Sequence, residues 1–198
     1  MDFSGIMQYI SYLLVAIGVM AFVVSTITQV VKSWPGLDKL PTSAVVIVLS
    51  LVLCPVTFVA LMAWMDREIS QACEQAIYAG VDVTLSDGTV EHYSLTPHDQ
   101  LNLLDRRARL TDGAIKLEYH ADGQPCRFYD VQDMRLIITA ASEHIGHHTA
   151  YCNSLNMWLA GCQTADEVAL IYYGASTPDR YRSEILQTYL ADGGDTNG

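Results

Sequence analysis

Charged side chains are almost absent from the first third of this 198-residue chain. Residues 1–65 contain two acidic and two basic residues, and none of the four falls within residues 6–31 or 44–65. A helix on the surface of a soluble protein keeps a polar face, and these two stretches have none. Each reaches the roughly 20 apolar residues that a helix needs to cross about 30 Å of hydrocarbon. The sequence therefore predicts two membrane spans.

The segment between the two stretches, KSWPGLDKLPTS, has the composition of a turn. Pro35 and Gly36 are residues that end a helix, so residues 1–65 are predicted to form a two-helix transmembrane hairpin. Trp34 and Trp64 lie at the ends of the predicted spans, where an indole favours the membrane interface, and they are predicted membrane anchors. Pro55 lies inside the second span and is predicted to kink that helix.

Two alternatives to the hairpin exist. Buried core helices of a soluble protein would keep a polar stripe, and a signal peptide would begin with a basic residue rather than Asp2.

The distribution of basic residues predicts the orientation of the hairpin. Lys32 and Lys39 lie in the turn, whereas only Arg67 follows the second span. Because cytoplasmic loops are enriched in Lys and Arg, the turn is predicted to face the cytoplasm and both termini to lie outside it.

Closely spaced cysteine pairs are absent from the sequence. The five cysteines have wide and irregular spacing, at positions 54, 73, 126, 152 and 162. This pattern predicts neither a disulfide framework nor a zinc knuckle, and free buried thiols are expected instead. Free thiols favour a reducing compartment, which conflicts with the orientation that the lysines predict.

Basic residues are scarce after residue 65. Residues 66–198 contain 20 acidic and 9 basic residues, so the whole formal charge of −11 belongs to this part of the chain. Nucleic acids and anionic lipid headgroups repel such a domain, and no nucleic-acid partner is predicted. Residues 66–192 are predicted to form one soluble domain, and the glycine-rich residues 193–198 are predicted to be disordered.

Alternating segments around two Asp-Gly pairs, Asp87-Gly88 and Asp122-Gly123, predict two β-hairpins in the soluble domain. Helices are predicted from Pro97 to about Arg109, over residues 131–160, from Thr164 to Gly174, and after Thr177-Pro178. The side chains expected to point inward include Leu101, Leu104 and Ala108 on the first of these helices, and Tyr181, Ile185, Leu186 and Tyr189 on the last. The predicted fold is therefore a transmembrane hairpin followed by a small α+β domain, in which two β-hairpins pack with three to four helices.

Catalytic signatures are missing as well: the chain has no Walker loop, GxGxxG, GxSxG or HExxH motif. His144, His148 and Cys152 are weak candidates for zinc ligands, because they follow one another at four-residue steps along one predicted helix face. The first and last of them are about 12 Å apart at 1.5 Å per residue, too far to surround one ion. Packing of His148 and Cys152 on the apolar stripe explains them better. No enzyme activity, catalytic residue or cofactor is predicted.

Two segments resemble phage proteins. Residues 1–65, through MQYISYLLVAIGVMAFVVSTITQVVKSWPGLDKLPTSAVVIVLSLVLCPVTF, resemble small holin-type membrane proteins of phages and prophages, which oligomerise to permeabilise the host membrane. Residues 69–192, through VDVTLSDGTVEHYSLTPHDQLNL, YHADGQPCRFYDVQDM and HTAYCNSLNMWL, resemble a domain of unknown function from phage tail and baseplate gene neighbourhoods. This second resemblance implies a structural or assembly role.

The resemblances imply a two-pass protein of the host bacterial inner membrane with a holin-like hairpin that self-associates and permeabilises the membrane during lysis. Its expected partners are the lipid bilayer, other copies of the hairpin and a phage structural protein. The alternative is a membrane-tethered module that binds proteins or assembles virions without forming lesions. A third hypothesis is a metal-dependent enzyme that uses His144, His148 or Cys152.

Overall fold

A computed structural model of the chain describes residues 18–19, 21–35, 39 and 41–194. The chain divides into two compact units, Met1–Ala60 and Leu61–Gly198. The described part is mostly helical, with two small antiparallel sheets. Its helices are α1 (Ala21–Lys32), α2 (Thr42–Tyr78), α3 (Pro97–Thr111), α4 (Val131–Ala160), α5 (Ala165–Val168), a 3-10 turn (Asp179–Tyr181) and α6 (Glu184–Gly194). Its strands are β1 (Val81–Thr84), β2 (Val90–Tyr93), β3 (Lys116–Tyr119) and β4 (Arg127–Asp130).

Among the described residues, one helix is long and apolar enough to cross a membrane. This helix is α2, whose most apolar window has a mean hydropathy of 2.8 and is 6% buried. Helix α1 is apolar but shorter than 18 residues, and residues 6–17 of the predicted first span lie outside the described residues. The predicted two-helix transmembrane hairpin, and the two-pass topology that follows from it, are therefore wrong for the described chain.

Helix α2 continues without a break past Asp66, where the predicted span ends. Its 37 residues include the stretch REISQACEQAIY, which contains no glycine or proline to end the helix. Pro55 lies inside α2, and the Ser50 hydroxyl donates to the Val46 carbonyl oxygen at 2.8 Å. Trp64 is therefore an exposed residue within the helix rather than at its end. The kink at Pro55 stays a prediction, as do the anchoring roles of Trp34 and Trp64.

Both predicted β-hairpins are confirmed. Strands β1 and β2 pair from Val81↔Tyr93 to Thr84↔Val90, and β3 pairs with β4 from Lys116↔Asp130 to Tyr119↔Arg127. The two hairpins form separate two-stranded sheets rather than one sheet. The predicted α+β class is therefore wrong, because most of the described chain is helical and the strands contribute only two short ribbons.

Helix α4 is the element on which the core of the second unit is built. It spans the predicted residues, and the Asp130 side chain caps it by accepting from the Asp133 amide at 2.9 Å. It contacts β1, β3, β4, α3, the 3-10 turn and α6. The side chains buried together in the core come from both hairpins, α3 and the first half of α4: Val83, Leu85, Tyr93, Leu95, Leu103, Leu117, Tyr119, Ala121, Tyr129, Met134, Ile137 and Ala141.

The inward face of α3 is not the predicted one. Its start is confirmed, because Thr96 and Asp99 form the expected capping box. However, Leu103 is the buried residue, whereas Leu101 and Leu104 are 63% and 62% exposed. The apolar residues of α3 cover more than one face, so periodicity does not decide which of them contacts α4.

The C-terminal helices are shorter than predicted. Helix α5 begins at the predicted capping box but ends at Val168, and Gly174 lies in a turn at φ +105°. The segment after Pro178 forms a 3-10 turn before α6 begins at Glu184. Within α6, Leu186 is buried as predicted, but Ile185 is 63% exposed. Helix α6 reaches Gly194, and residues 195–198 of the predicted tail lie outside the described residues.

Candidate functional site

A disulfide bond joins Cys73 of α2 to Cys152 of α4, across 79 positions of the sequence. The prediction of free thiols is therefore wrong for these two cysteines. Cys54, Cys126 and Cys162 have free thiols. Sequence spacing misses the bond, because the folding of the intervening hairpins and α3 is what brings the two helices together.

The three weak metal candidates have other partners. Cys152 is bonded to Cys73 and has no thiolate to offer a metal ion. His144 donates from Nε2 to the Ala76 carbonyl oxygen of α2 at 3.0 Å. His148 has its Nδ1 atom 2.5 Å from the Tyr173 hydroxyl. These contacts connect α4 with α2 and with the loop after α5. Among the described residues, no group of three side chains is placed to bind one metal ion.

Histidines of α4 form a cluster with tyrosines from α6 and from the loop after α5. The rings of His144 and His148 lie 4.3 Å apart between centroids, and those of His147 and His148 lie 5.2 Å apart. Tyr189 of α6 packs edge-on against His147 at 5.7 Å. Gly146 makes room for that tyrosine, because a Cβ at this position would lie 2.2 Å from the Tyr189 hydroxyl oxygen.

The environment of the cluster keeps two of its imidazoles uncharged at neutral pH. Burial is the main cause that lowers the pKa of His148, to about 4, and the neighbouring His144 and His147 lower it further. Burial also lowers the pKa of His147, with a smaller effect from His144. A half-buried group of three rings disfavours the addition of positive charge. At pH 7, both rings are therefore neutral, and His148 forms a hydrogen bond with the Tyr173 hydroxyl.

Acidification is expected to destabilise this cluster. The pKa of His148 is lower in the folded chain than in the unfolded chain, so the unfolded state binds more protons between about pH 6.5 and 4. The contribution of neutral His148 to the free energy of unfolding is present above about pH 6.5 and is lost as the pH falls towards 4. In His148→Gln, the fall in Tm between pH 7 and pH 5 is expected to be smaller than in the wild type by about 3 °C.

The pH dependence of the wild type alone does not isolate His148, because His92 has the opposite effect on stability. The hydrogen bond to Asp82 raises the pKa of His92, so the stabilisation that His92 provides increases as the pH falls. The effect of His148 is therefore measured as a difference between the variant and the wild type. His98→Gln, which changes an exposed histidine outside the cluster, is the matched control for the loss of an imidazole. An unchanged pH dependence in His148→Gln would show that this imidazole is not destabilised in the folded state.

A cavity of about 400 Å³ lies beside the cluster, between α4, the loop after α5, and α6. The loop is held by Tyr151, whose hydroxyl donates to the Ala175 carbonyl oxygen at 2.7 Å and accepts from the Gly174 amide at 2.9 Å. The lining combines aromatic, apolar and polar side chains: His147, His148, Tyr151, Tyr173, Ser176, Thr177, Arg182, Leu186 and Leu190. A mostly apolar wall with a few polar groups is the usual composition of a ligand-binding site.

Arg182 supplies the positive charge of this cavity. Its Nε atom donates to the Thr177 carbonyl oxygen at 2.7 Å, and one guanidinium nitrogen lies 2.7 Å from Asp179. The carboxylate of Asp179 is 91% exposed, whereas the Arg182 side chain is 28% exposed. An ion pair with so exposed a partner is weak, so the guanidinium is available to a second anion.

A second polar cluster connects the two hairpins, away from the cavity. The carboxylate of Glu91 accepts from the hydroxyls of Tyr93 and Tyr129, at 2.7 and 2.9 Å, and from Arg127 at 2.7 Å. Partial burial opposes ionisation of Glu91, but these hydrogen bonds prevail and lower its pKa. This network fixes β2 against β4, and we assign it a structural role.

The sequence signals identified only part of this site. The position of His148 on α4 makes it a candidate site residue in the sequence, whereas no pattern indicates a binding role for Tyr173, Thr177 or Arg182. The two tyrosines of the stretch IYYG and the basic residues of DRYR are the only local signals for the cavity wall, and both are common in surface segments. No protein-family model matches the chain, and no curated protein or solved structure is found to be similar to it.

Proposed function

We propose that this protein is a non-enzymatic binding module that α2 tethers to a bacterial inner membrane as a single span. The observation that supports the tether is the uncovered apolar surface of α2. Seven large side chains on the first part of this helix are more than half exposed: Ile47, Val48, Leu51, Val52, Val56, Val59 and Trp64. Exposing so much contiguous apolar surface to water is unfavourable, and a bilayer would cover it.

A single span favours tethering over lysis. The holin-like alternative depends on a self-associating hairpin, and the described residues contain one helix of sufficient length. A helix that serves as an anchor needs no partner helix, because its backbone groups are satisfied internally. The acidic domain, which begins within the C-terminal half of α2, is then the functional part, and a phage structural protein is the partner that we propose for it.

Two observations favour a position of the acidic domain outside the cytoplasm. Lys32 and Lys39 precede α2, whereas the region after its apolar part carries Arg67 between two acidic residues. Positive charge on the N-terminal side favours a cytoplasmic location for that side. Disulfide bonds form and persist mainly in oxidising compartments, so the bond between Cys73 and Cys152 favours the same orientation.

Extraction of membranes with alkaline carbonate tests the tether. The wild-type chain is expected to stay in the membrane pellet. Val52→Lys is expected to move into the supernatant, because a lysine in the middle of a span costs about 3 kcal/mol of insertion free energy. Val52→Ala is the matched control and should stay in the pellet. Release of the wild-type chain by carbonate would contradict the tether.

The same cells report the side of the membrane on which the domain lies. An epitope placed after Gly198 is expected to be removed by protease added to spheroplasts, while a cytoplasmic marker protein stays intact. Protection of the epitope until the membrane is permeabilised would contradict the proposed orientation and leave the tether itself standing.

A further inference from the structure

We infer that the cavity between α4, the loop after α5, and α6 captures the C-terminal carboxylate of a partner protein whose last side chain is apolar. The inference rests on the proposed binding function and names the chemistry of the partner. It depends on three properties of the cavity, which are an oriented cation, polar groups without partners, and an apolar wall.

The cation is held in position before any ligand arrives. Arg182 is tied through Nε to the Thr177 carbonyl oxygen, and a second nitrogen lies 3.4 Å from the Ser176 hydroxyl. Its remaining partner is Asp179, which is almost fully exposed. A guanidinium presents a planar fork of donors that matches the two oxygens of a carboxylate. A carboxylate in the cavity would therefore replace an exposed ion pair with a more sheltered one.

The second property is a buried polar group that has no partner. Thr177 is 3% exposed, and its hydroxyl makes no hydrogen bond within the described chain. Leaving a buried hydroxyl unpaired costs about 1–3 kcal/mol, so such groups are usually satisfied by another molecule. The backbone amides of Ser176 and Thr177 likewise donate to no acceptor in the described part of the protein. The loop thus combines a free hydroxyl and free amides with the guanidinium that it holds.

The third property is the apolar part of the cavity wall. Leu186 and Leu190 of α6, together with the rings of Tyr151 and Tyr173, form a surface for an apolar side chain. His147 adds an uncharged imidazole, since its pKa is lowered by burial. The volume of about 400 Å³ lies at the small end of the range for ligand sites, about 300–1,000 Å³. A chain terminus supplies a carboxylate, a backbone amide and one side chain, which match the three parts of this cavity.

Two peptides that differ only at the terminus test the inference. The full-length protein in lipid nanodiscs is titrated with acetyl-Gly-Gly-Leu bearing a free carboxylate, and with the same peptide as its C-terminal amide. The acid is expected to bind at least tenfold more tightly than the amide. Arg182→Gln is expected to abolish the difference, and Arg182→Lys to restore part of it. Arg180→Gln, which changes a neighbouring arginine outside the cavity lining, should bind like the wild type.

Thr177→Val separates a ligand contact from a structural role. The substitution removes a buried hydroxyl that has no partner, so the Tm of the free protein should not fall. If the hydroxyl contacts the carboxylate, affinity for the acid peptide is expected to fall by about three- to tenfold. Unchanged affinity together with unchanged Tm would exclude Thr177 from the site and overturn the inference that its hydroxyl receives the terminus.

Three outcomes would overturn the capture of a chain terminus. They are equal affinity for acid and amide, no binding of the acid peptide to the wild-type protein, and tighter binding of hexanoate than of the peptide. The last result would indicate a lipid-derived carboxylate instead of a chain terminus. None of them affects the carbonate extraction, so failure of the capture is distinguishable from failure of the tether.

Discussion

Replacing Cys73 and Cys152 with alanine together is expected to lower the free energy of unfolding of the second unit by about 4–5 kcal/mol. The bond closes a loop over a sequence separation of 79 residues. In the chain-entropy model, closing a loop of this length lowers the conformational entropy of the unfolded chain. This loss raises the free energy of the unfolded state by about 4–5 kcal/mol. A loss of this size approaches the whole stability of many domains, which is about 5–15 kcal/mol.

Urea denaturation of the full-length protein, followed by a spectroscopic signal from the acidic domain, measures this loss of unfolding free energy. Cys126→Ala is the matched control, because Cys126 is exposed and its thiol is free. A reducing agent should destabilise the wild type as much as the double substitution does, and should leave the double variant unchanged. A loss of less than about 1 kcal/mol would show that the bond contributes little to stability.

Gly80→Ala is expected to destabilise the second unit by about 4 kcal/mol. Gly80 connects α2 to β1 with φ at +85°, in the left-handed region that favours glycine. A Cβ at this position would lie 2.1 Å from the Tyr93 carbonyl oxygen and 2.7 Å from the Ser94 Cα atom. Both are backbone atoms and have no flexible end that can move away. The cost therefore combines about 1–2 kcal/mol of backbone strain with about 1–3 kcal/mol of overpacking.

Gly88→Ala provides the matched control for this substitution. Gly88 has φ at +86°, nearly that of Gly80, but no atom lies within 4 Å of the position that its Cβ would take. It should cost only the backbone strain, about 1–2 kcal/mol. Equal losses of Tm in the two variants would mean that the close approach of the Tyr93 backbone adds nothing.

The local elements of this protein are determined by residues that are near one another in the sequence. Asp87-Gly88 and Asp122-Gly123 specify the two hairpins, because their turns need backbone conformations that these residues tolerate. Thr96 specifies the start of α3 through a capping box with a residue three positions away. The apolar composition of the first half of α2 likewise identifies a helix that can cross a membrane, since that property depends on length and composition alone.

The tertiary structure decides which faces and which distant residues meet. Helix α3 buries Leu103 rather than Leu101 and Leu104, because the choice depends on how α4 lies beside it. Cys73 forms a disulfide bond with Cys152 across 79 positions, although no local sequence pattern around either cysteine predicts the pairing. The cavity is assembled in the same way, from α4, an irregular loop and α6. The sequence alone thus determines the candidate span, both hairpins and the extent of α4. Only long-range packing creates the disulfide and the candidate site, because contacts between distant segments depend on how the whole unit folds.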